Sequence, residues 1–223
     1  MLPGTNPPYW LIVVSEVCLV VAIGCAVLIL FDIIRGHRQK MPVMNVVWPI
    51  TALYLGPVAV WAYWTFGRSS GESKQKSFAR MVFLGDSHCG AGCSIGDFAG
   101  EWMVFFVGLK IAGSVLFANY VVDFAAAYLL GIVFQYYAIA PMRNLHGWPG
   151  IRAAIKADTI SLAAFEVGMF AWMAFSSKVL FQPRVEPTSP VYWFSMQIAM
   201  IIGFLTAYPA NWWLIRHGWK EKM

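Results

Sequence analysis

The chain has 223 residues, of which 59% are hydrophobic and only 12% charged, and its mean hydropathy is +0.62. Soluble domains carry about 25% charged residues, so the composition excludes an ordinary water-soluble domain and points to a bilayer as the main solvent. The formal charge of +5 does not indicate nucleic-acid binding, because no Lys/Arg block is long enough to follow a phosphate backbone.

The N-terminus, MLPGTNPPYW, has no basic leader, and the apolar run behind it is too long for the core of a cleaved signal peptide. About 20 apolar residues are needed to cross the hydrocarbon. A first span is expected over 10–34, interrupted only by Ser15, Glu16 and Asp32, and a second over 43–66, kinked by Pro49 and Pro57. After the polar loop GRSSGESKQKSFAR, the stretch 81–140 is too long for one span. GLKIAGS, with Lys110 and Gly113, offers the best turn and divides it into 81–108 and 113–140. PMRNLHGWPGIRAAIKAD and QPRVEPTSP are loops that frame spans five (159–181) and six (191–215). The expected fold is an all-α integral membrane protein of six transmembrane helices. A two-helix hairpin (1–67) precedes a four-helix core (81–223).

Lys and Arg outnumber their counterparts on the side of the loops after spans two and four and the C-terminus (Arg68, Lys74, Lys76, Arg80, Arg143, Arg152, Lys156, Arg216, Lys220, Lys222). The opposite side holds Arg35, Arg38, Lys40, Lys110, Lys178 and Arg184. By the positive-inside rule both termini are expected to be cytoplasmic.

The segment DSHCGAGCSIGDFAGEW concentrates the chemistry. On a helix, Cys89, Cys93, Asp97 and Glu101 recur every fourth residue and share one face, with His88 beside it. At 1.5 Å per residue Cys93 lies roughly 18 Å deep and Asp123 of span four about 15 Å from the opposite surface, while Glu166 of span five enters from the same side as Cys93 to a comparable depth. Glu16, Asp97, Glu101, Asp123 and Glu166 are acids at membrane depth without a matching supply of buried Lys or Arg, and such groups need protons or a cation. Thiolate and imidazole form a soft set that suits copper first and zinc second. The candidate ligands are His88, Cys89 and Cys93, with Asp97, Asp123 and Glu166 compensating charge or exchanging protons. The competing reading is a Gly-rich packing face with buried thiols. Cys18, Cys25 and Met103, Met169, Met173, Met196 and Met200 read as packing residues. With His88 the only His inside a span, bis-His haem is not expected.

The stretches HCGAGCSIGD, FQYYAIAPMR, IKADTISLAAFEVGMFAWM and YWFSMQIAMIIGFLTAYPANWWLIRHGWKEKM resemble a bacterial and archaeal family of multi-pass membrane proteins classed as a domain of unknown function, over about residues 80–223. The resemblance implies the four-helix core in a prokaryotic cytoplasmic membrane and, by association with copper oxidases in some members, copper handling. Three functional expectations follow. The first is a metal-binding or transport protein. The second is a thiol- or quinone-linked redox protein that cycles Cys89 and Cys93. The third is a non-catalytic subunit or assembly factor of a larger membrane complex, whose partners would be other membrane chains.

Overall fold

A computed structural model describes residues 7–39, 41–68 and 77–220. Lys40, Lys74, Lys76 and Lys222, which enter the orientation argument, lie outside the described residues. All regular structure among the described residues is helical: α1 (Tyr9–Ile34), α2 (Met44–Leu55), α3 (Pro57–Ala62), α4 (Phe78–Val107), α5 (Val115–Arg143), α6 (Trp148–Phe175) and α7 (Pro190–Arg216). Two π-helical turns, Tyr63–Gly67 and Ser176–Leu180, extend α3 and α6.

Local sequence sets these boundaries. Ser77 caps α4 by accepting the Arg80 amide at 3.3 Å, and Gly108, in the left-handed conformation at φ +67, ends it. The chain then reverses through Ala112 and Gly113 into α5, where the sequence places the turn. Ser189 caps α7 and Pro190 fills its first position, where a missing N–H costs nothing. The expected kink in the second apolar run falls at Gly56 (φ 53), just before Pro57, and divides it into α2 and α3. Pro49 is absorbed within α2.

Among the described residues, four helical stretches are long and apolar enough to cross a membrane: Tyr9–Ile34, Val115–Ile139, Trp148–Leu180 and Pro190–Arg216. The 30 residues of α4 would extend about 45 Å, yet Asp86, Asp97 and Glu101 deprive it of an apolar character. This helix is nonetheless the axis of the molecule, with α2, α5, α6 and α7 packed around it. Sixteen of its residues are buried, ten of them in an unbroken run from Leu84 to Cys93. By contrast α1 leans on α2, α3 and α7 and exposes most of its surface, including Glu16. Expected as an acid at membrane depth, Glu16 therefore faces outward from a peripheral helix and belongs to no buried cluster.

The hairpin is tied to itself by Asp32, whose carboxylate accepts the Tyr63 hydroxyl at 2.8 Å. Trp48, Tyr63, Ile29 and Leu84 join α1, α2, α3 and α4 in one apolar cluster. A second cluster surrounds the two thiols and contains Phe165, Met169, Met173, Met196 and Met200. These four Met residues are thus packing residues lining the thiols, whereas Met103 faces outward.

Candidate functional site

Polar side chains run through the core for almost the whole length of α4. From Asp86 to Glu101 the helix rises about 22 Å. Asp86, Asp97, Glu101, Asp123, Asp158 and Glu166 are all buried, none more than 2% exposed.

One end is built by the turn after α7. Lys220, 2% exposed, donates to Asn211 Oδ1 at 2.7 Å and to Ser161 Oγ at 3.2 Å. Ser161 also donates to Asn211 Oδ1 at 2.9 Å, and Asn211 Nδ2 donates to Asp86 Oδ1 at 2.8 Å. Asn211 is the hub: its amide joins a cation and an anion that do not hydrogen-bond directly. Replacing it by Leu should lower stability by about 2 kcal/mol, because Asp86 and Lys220 both lose a buried partner. Thermal unfolding followed by Trp fluorescence measures this, and an unchanged transition would show the hub to be dispensable.

The next layer is Asp158, which accepts the Gln135 amide at 3.1 Å and faces Cys89. The Asp158 carboxylate rests where Gly131 of α5 has no side chain, and the Asp123 carboxylate lies likewise against Gly100 of α4. Glycine at both positions makes room for an acid rather than for another helix alone.

At the centre, Cys93 neighbours Cys89 and the Glu166 carboxylate of α6, and Asp97 lies in electrostatic range of Glu166, Asp123 and Glu101. Among the described residues no N–H or O–H donor reaches either oxygen of Asp97 or of Glu166, whose sulfur neighbour is Cys93. Tyr54 of α2 also reaches this layer; its buried hydroxyl lies against Gly90 and faces the thiols. The N-terminal hairpin therefore contributes to the core row.

At the far end Glu101 accepts from the Asn119 amide and from Arg184 at 3.3 Å, and Arg184 also donates to the Tyr192 hydroxyl at 2.9 Å. Beyond this pair opens a cavity of about 610 Å³ between the α4–α5 turn and the α6–α7 loop, lined by Glu101, Lys110, Asn119, Lys178, Arg184 and Glu186.

The sequence-predicted residues are partly brought together. Cys89, Cys93, Asp97, Asp123 and Glu166 come together beside α4, each within electrostatic range of at least two of the others. No group of three or more His, Cys, Asp or Glu side chains among the described residues is arranged to hold a metal ion. His88 leaves this group. Its Nε2 lies 3.0 Å from the Phe134 carbonyl of α5, which can only accept, so Nε2 carries the proton and Nδ1 is the bare nitrogen. All four cysteines are free thiols. Asp86, Asn119, Gln135, Asp158, Ser161, Arg184, Asn211 and Lys220 join the site without being singled out by the sequence pattern. A signal for Asp86 and Asp158 is present, since each is an acid within two turns of an apolar segment on the same side.

A family described as a domain of unknown function, DUF4396, matches residues 79–220. No curated protein and no solved structure matches the chain.

Proposed function

The chain belongs to the DUF4396 family, and we propose that its core moves a cation across a prokaryotic cytoplasmic membrane, copper first and zinc second, along the row from Asp86 to Glu101. In this reading all six expected segments span the bilayer and both termini face the cytoplasm. The observation that carries it is the pair Asp97 and Glu166: four carboxylate oxygens, buried at the middle of the row, with no N–H or O–H donor among the described residues. Carboxylates at such depth are costly unless protonated or matched by a cation. Their neighbours Cys89 and Cys93 favour a soft ion over magnesium or calcium. The donor set suits copper(I) or zinc(II), while its linear spacing suits an ion that passes from site to site and binds weakly enough at each to leave. Protons carried by the acids would exchange with the metal as it passes.

The test is flux into proteoliposomes containing a metal-sensitive dye, with a pH dye in parallel. Wild-type protein should admit copper(I) or zinc(II) above empty vesicles. Asp97→Asn and Glu166→Gln should each slow entry at least about tenfold, the effect of ~1.4 kcal/mol on one step in series. Vesicles that admit neither metal nor protons would end the proposal. A second reading is favoured by the adjacency of Cys89 and Cys93: a thiol pair that a membrane quinone could oxidise to a disulfide, two electrons and two protons passing to the quinone. Metal flux that survives Cys89→Ser/Cys93→Ser, together with a disulfide that forms in native membranes, would select it.

A further inference from the structure

The end of α7 performs an unusual manoeuvre. His217 caps the helix, Gly218 takes φ +71, and the Gly218 and Trp219 amides bond back to the carbonyls of Ile215 (3.3 Å) and Leu214 (2.9 Å). This paired bonding is the Schellman arrangement, which turns a chain sharply at a left-handed glycine. Trp219 then lies against Trp213, with ring centroids 5.7 Å apart, and beneath the Lys156 ammonium at 4.8 Å. The reversal directs the next side chain, Lys220, back into the bundle. Its stem passes Gly85 of α4, and its ammonium ends on Asn211 and Ser161.

A lysine close behind a helix end would ordinarily put its charge in water, since burying an ammonium costs several kcal/mol unless it is well matched. Here the matching groups are all oxygen: Ser161 Oγ, Asn211 Oδ1 and, through the Asn211 amide, Asp86. The second Asp86 oxygen is buried with no hydrogen-bond partner among the described residues, and Lys220 is a cation in its electrostatic range. Asp86 stands three residues before Cys89, so this oxygen seat and the thiol layer are one helical turn apart. Two neutral oxygens and a nearby carboxylate, without sulfur or nitrogen ligands, suit a hard monovalent cation of about ammonium size.

We infer that Ser161, Asn211 and Asp86 form a cation-binding site at the end of the row, and that Lys220 fills it as a tethered ammonium that a free monovalent cation replaces when the C-terminal turn withdraws. The inference rests on the row being a pathway. It adds an end site of different selectivity from the thiol layer, together with the group that closes it.

Cys89 and Cys93 are built-in reporters, 1% and 0% exposed and one turn or more behind the seat. In a Cys18→Ser/Cys25→Ser background, a charged methanethiosulfonate should modify them slowly while Lys220 is in place. Lys220→Ala should speed modification at least about tenfold, ~1.4 kcal/mol in the opening equilibrium. Millimolar butylammonium should slow it again in the variant and leave the Lys220-containing protein unaffected; Lys220→Arg should remain protected. Thiols as protected in Lys220→Ala as in the parent, or a variant indifferent to butylammonium, would overturn the inference. A second measurement needs no variant: in wild-type protein, an amine-acylating reagent should modify Lys220 much more slowly than the exposed lysines Lys110 and Lys178, and equal rates would also overturn it. Neither assay depends on flux. Protection and butylammonium rescue in a protein that moves no ion would leave the site standing and remove the transport reading, whereas flux without protection would do the reverse.

Discussion

Gly96→Val is expected to destabilise the protein by more than about 3 kcal/mol, the upper part of the range for overpacking a close contact. A Cβ at Gly96 would fall on the backbone of Ala127, against its N and Cα and the Ala126 carbonyl carbon. No side chain there can rotate away, so the helices themselves must separate. Gly92 meets the Gly131 Cα at 3.1 Å and Gly100 meets the Asp123 Cα at 3.2 Å, both measured from the position of an added Cβ. The close approach thus runs over two turns of α4, and widening it at the middle loosens both flanks. On the reading that the core spans a bilayer, no gain in apolar burial compensates, because lipid tails are as apolar as Leu and helices hold by close van der Waals contact. Gly24 of α1 provides the control, since an added Cβ there meets nothing within 4 Å among the described residues. Gly24→Ala should leave stability unchanged or raise it by up to ~1 kcal/mol through helix propensity. Heating in detergent followed by size-exclusion chromatography reads both. A Gly96→Val protein that stays monodisperse to the wild-type temperature would show that α4 and α5 are not held by this contact.

How far the site is legible follows from what each residue contributes to pattern. Cys89, Cys93, Asp97 and Glu101 are spaced by one helical turn, so their common face can be read directly, and depth arithmetic brings Asp123 and Glu166 to the same level. Depth alone, however, does not say whether side chains converge on a point or follow one another along an axis. That depends on the rotation of each helix, for which the uniformly apolar surfaces of α5 and α7 give no signal. His88 shows the same limit on α4 itself: one residue before Cys89 it is turned about 100° around the axis and meets the α5 backbone instead of the thiols. Asp158 escapes a reading that begins the fifth span at 159, whereas α6 begins at Trp148 and carries Asp158 well inside. Lys220 reads as a topological charge, since nothing local distinguishes a buried lysine from a solvated one. The nearest hint is Gly218 followed by Trp219, which together form a stop signal and a cover. Glu16 errs in the opposite direction, because a helix apolar on every side does not reveal which side faces lipid.

Arg184→Met should destabilise the protein by about 3 kcal/mol, more than Glu101→Gln/Arg184→Met, although the latter carries two changes. Glu101 is buried on α4, and one of its oxygens, Oε2, serves both Asn119 and Arg184. Removing the guanidinium alone strands a buried carboxylate at the floor of the cavity, with the Asn119 amide and the Tyr192 hydroxyl beside it but no cation. Replacing both groups removes the charge together with its partner, and the introduced carboxamide would keep an oxygen for Asn119. The reverse single change, Glu101→Gln, should be the mildest: Arg184 is 22% exposed at its side chain, retains the Tyr192 hydroxyl at 2.9 Å and stacks toward that ring at 5.5 Å. The order of stability expected is therefore wild type, Glu101→Gln, the double variant, then Arg184→Met. This order is specific to a buried anion held by a cation that is itself partly exposed. A surface ion pair would give small and additive losses, and a pair fixed only by packing would make the double variant the least stable. Denaturant titration of the four proteins in the same detergent distinguishes these cases. Additive losses would remove Arg184 from its place as the charge that closes the cavity end of the row.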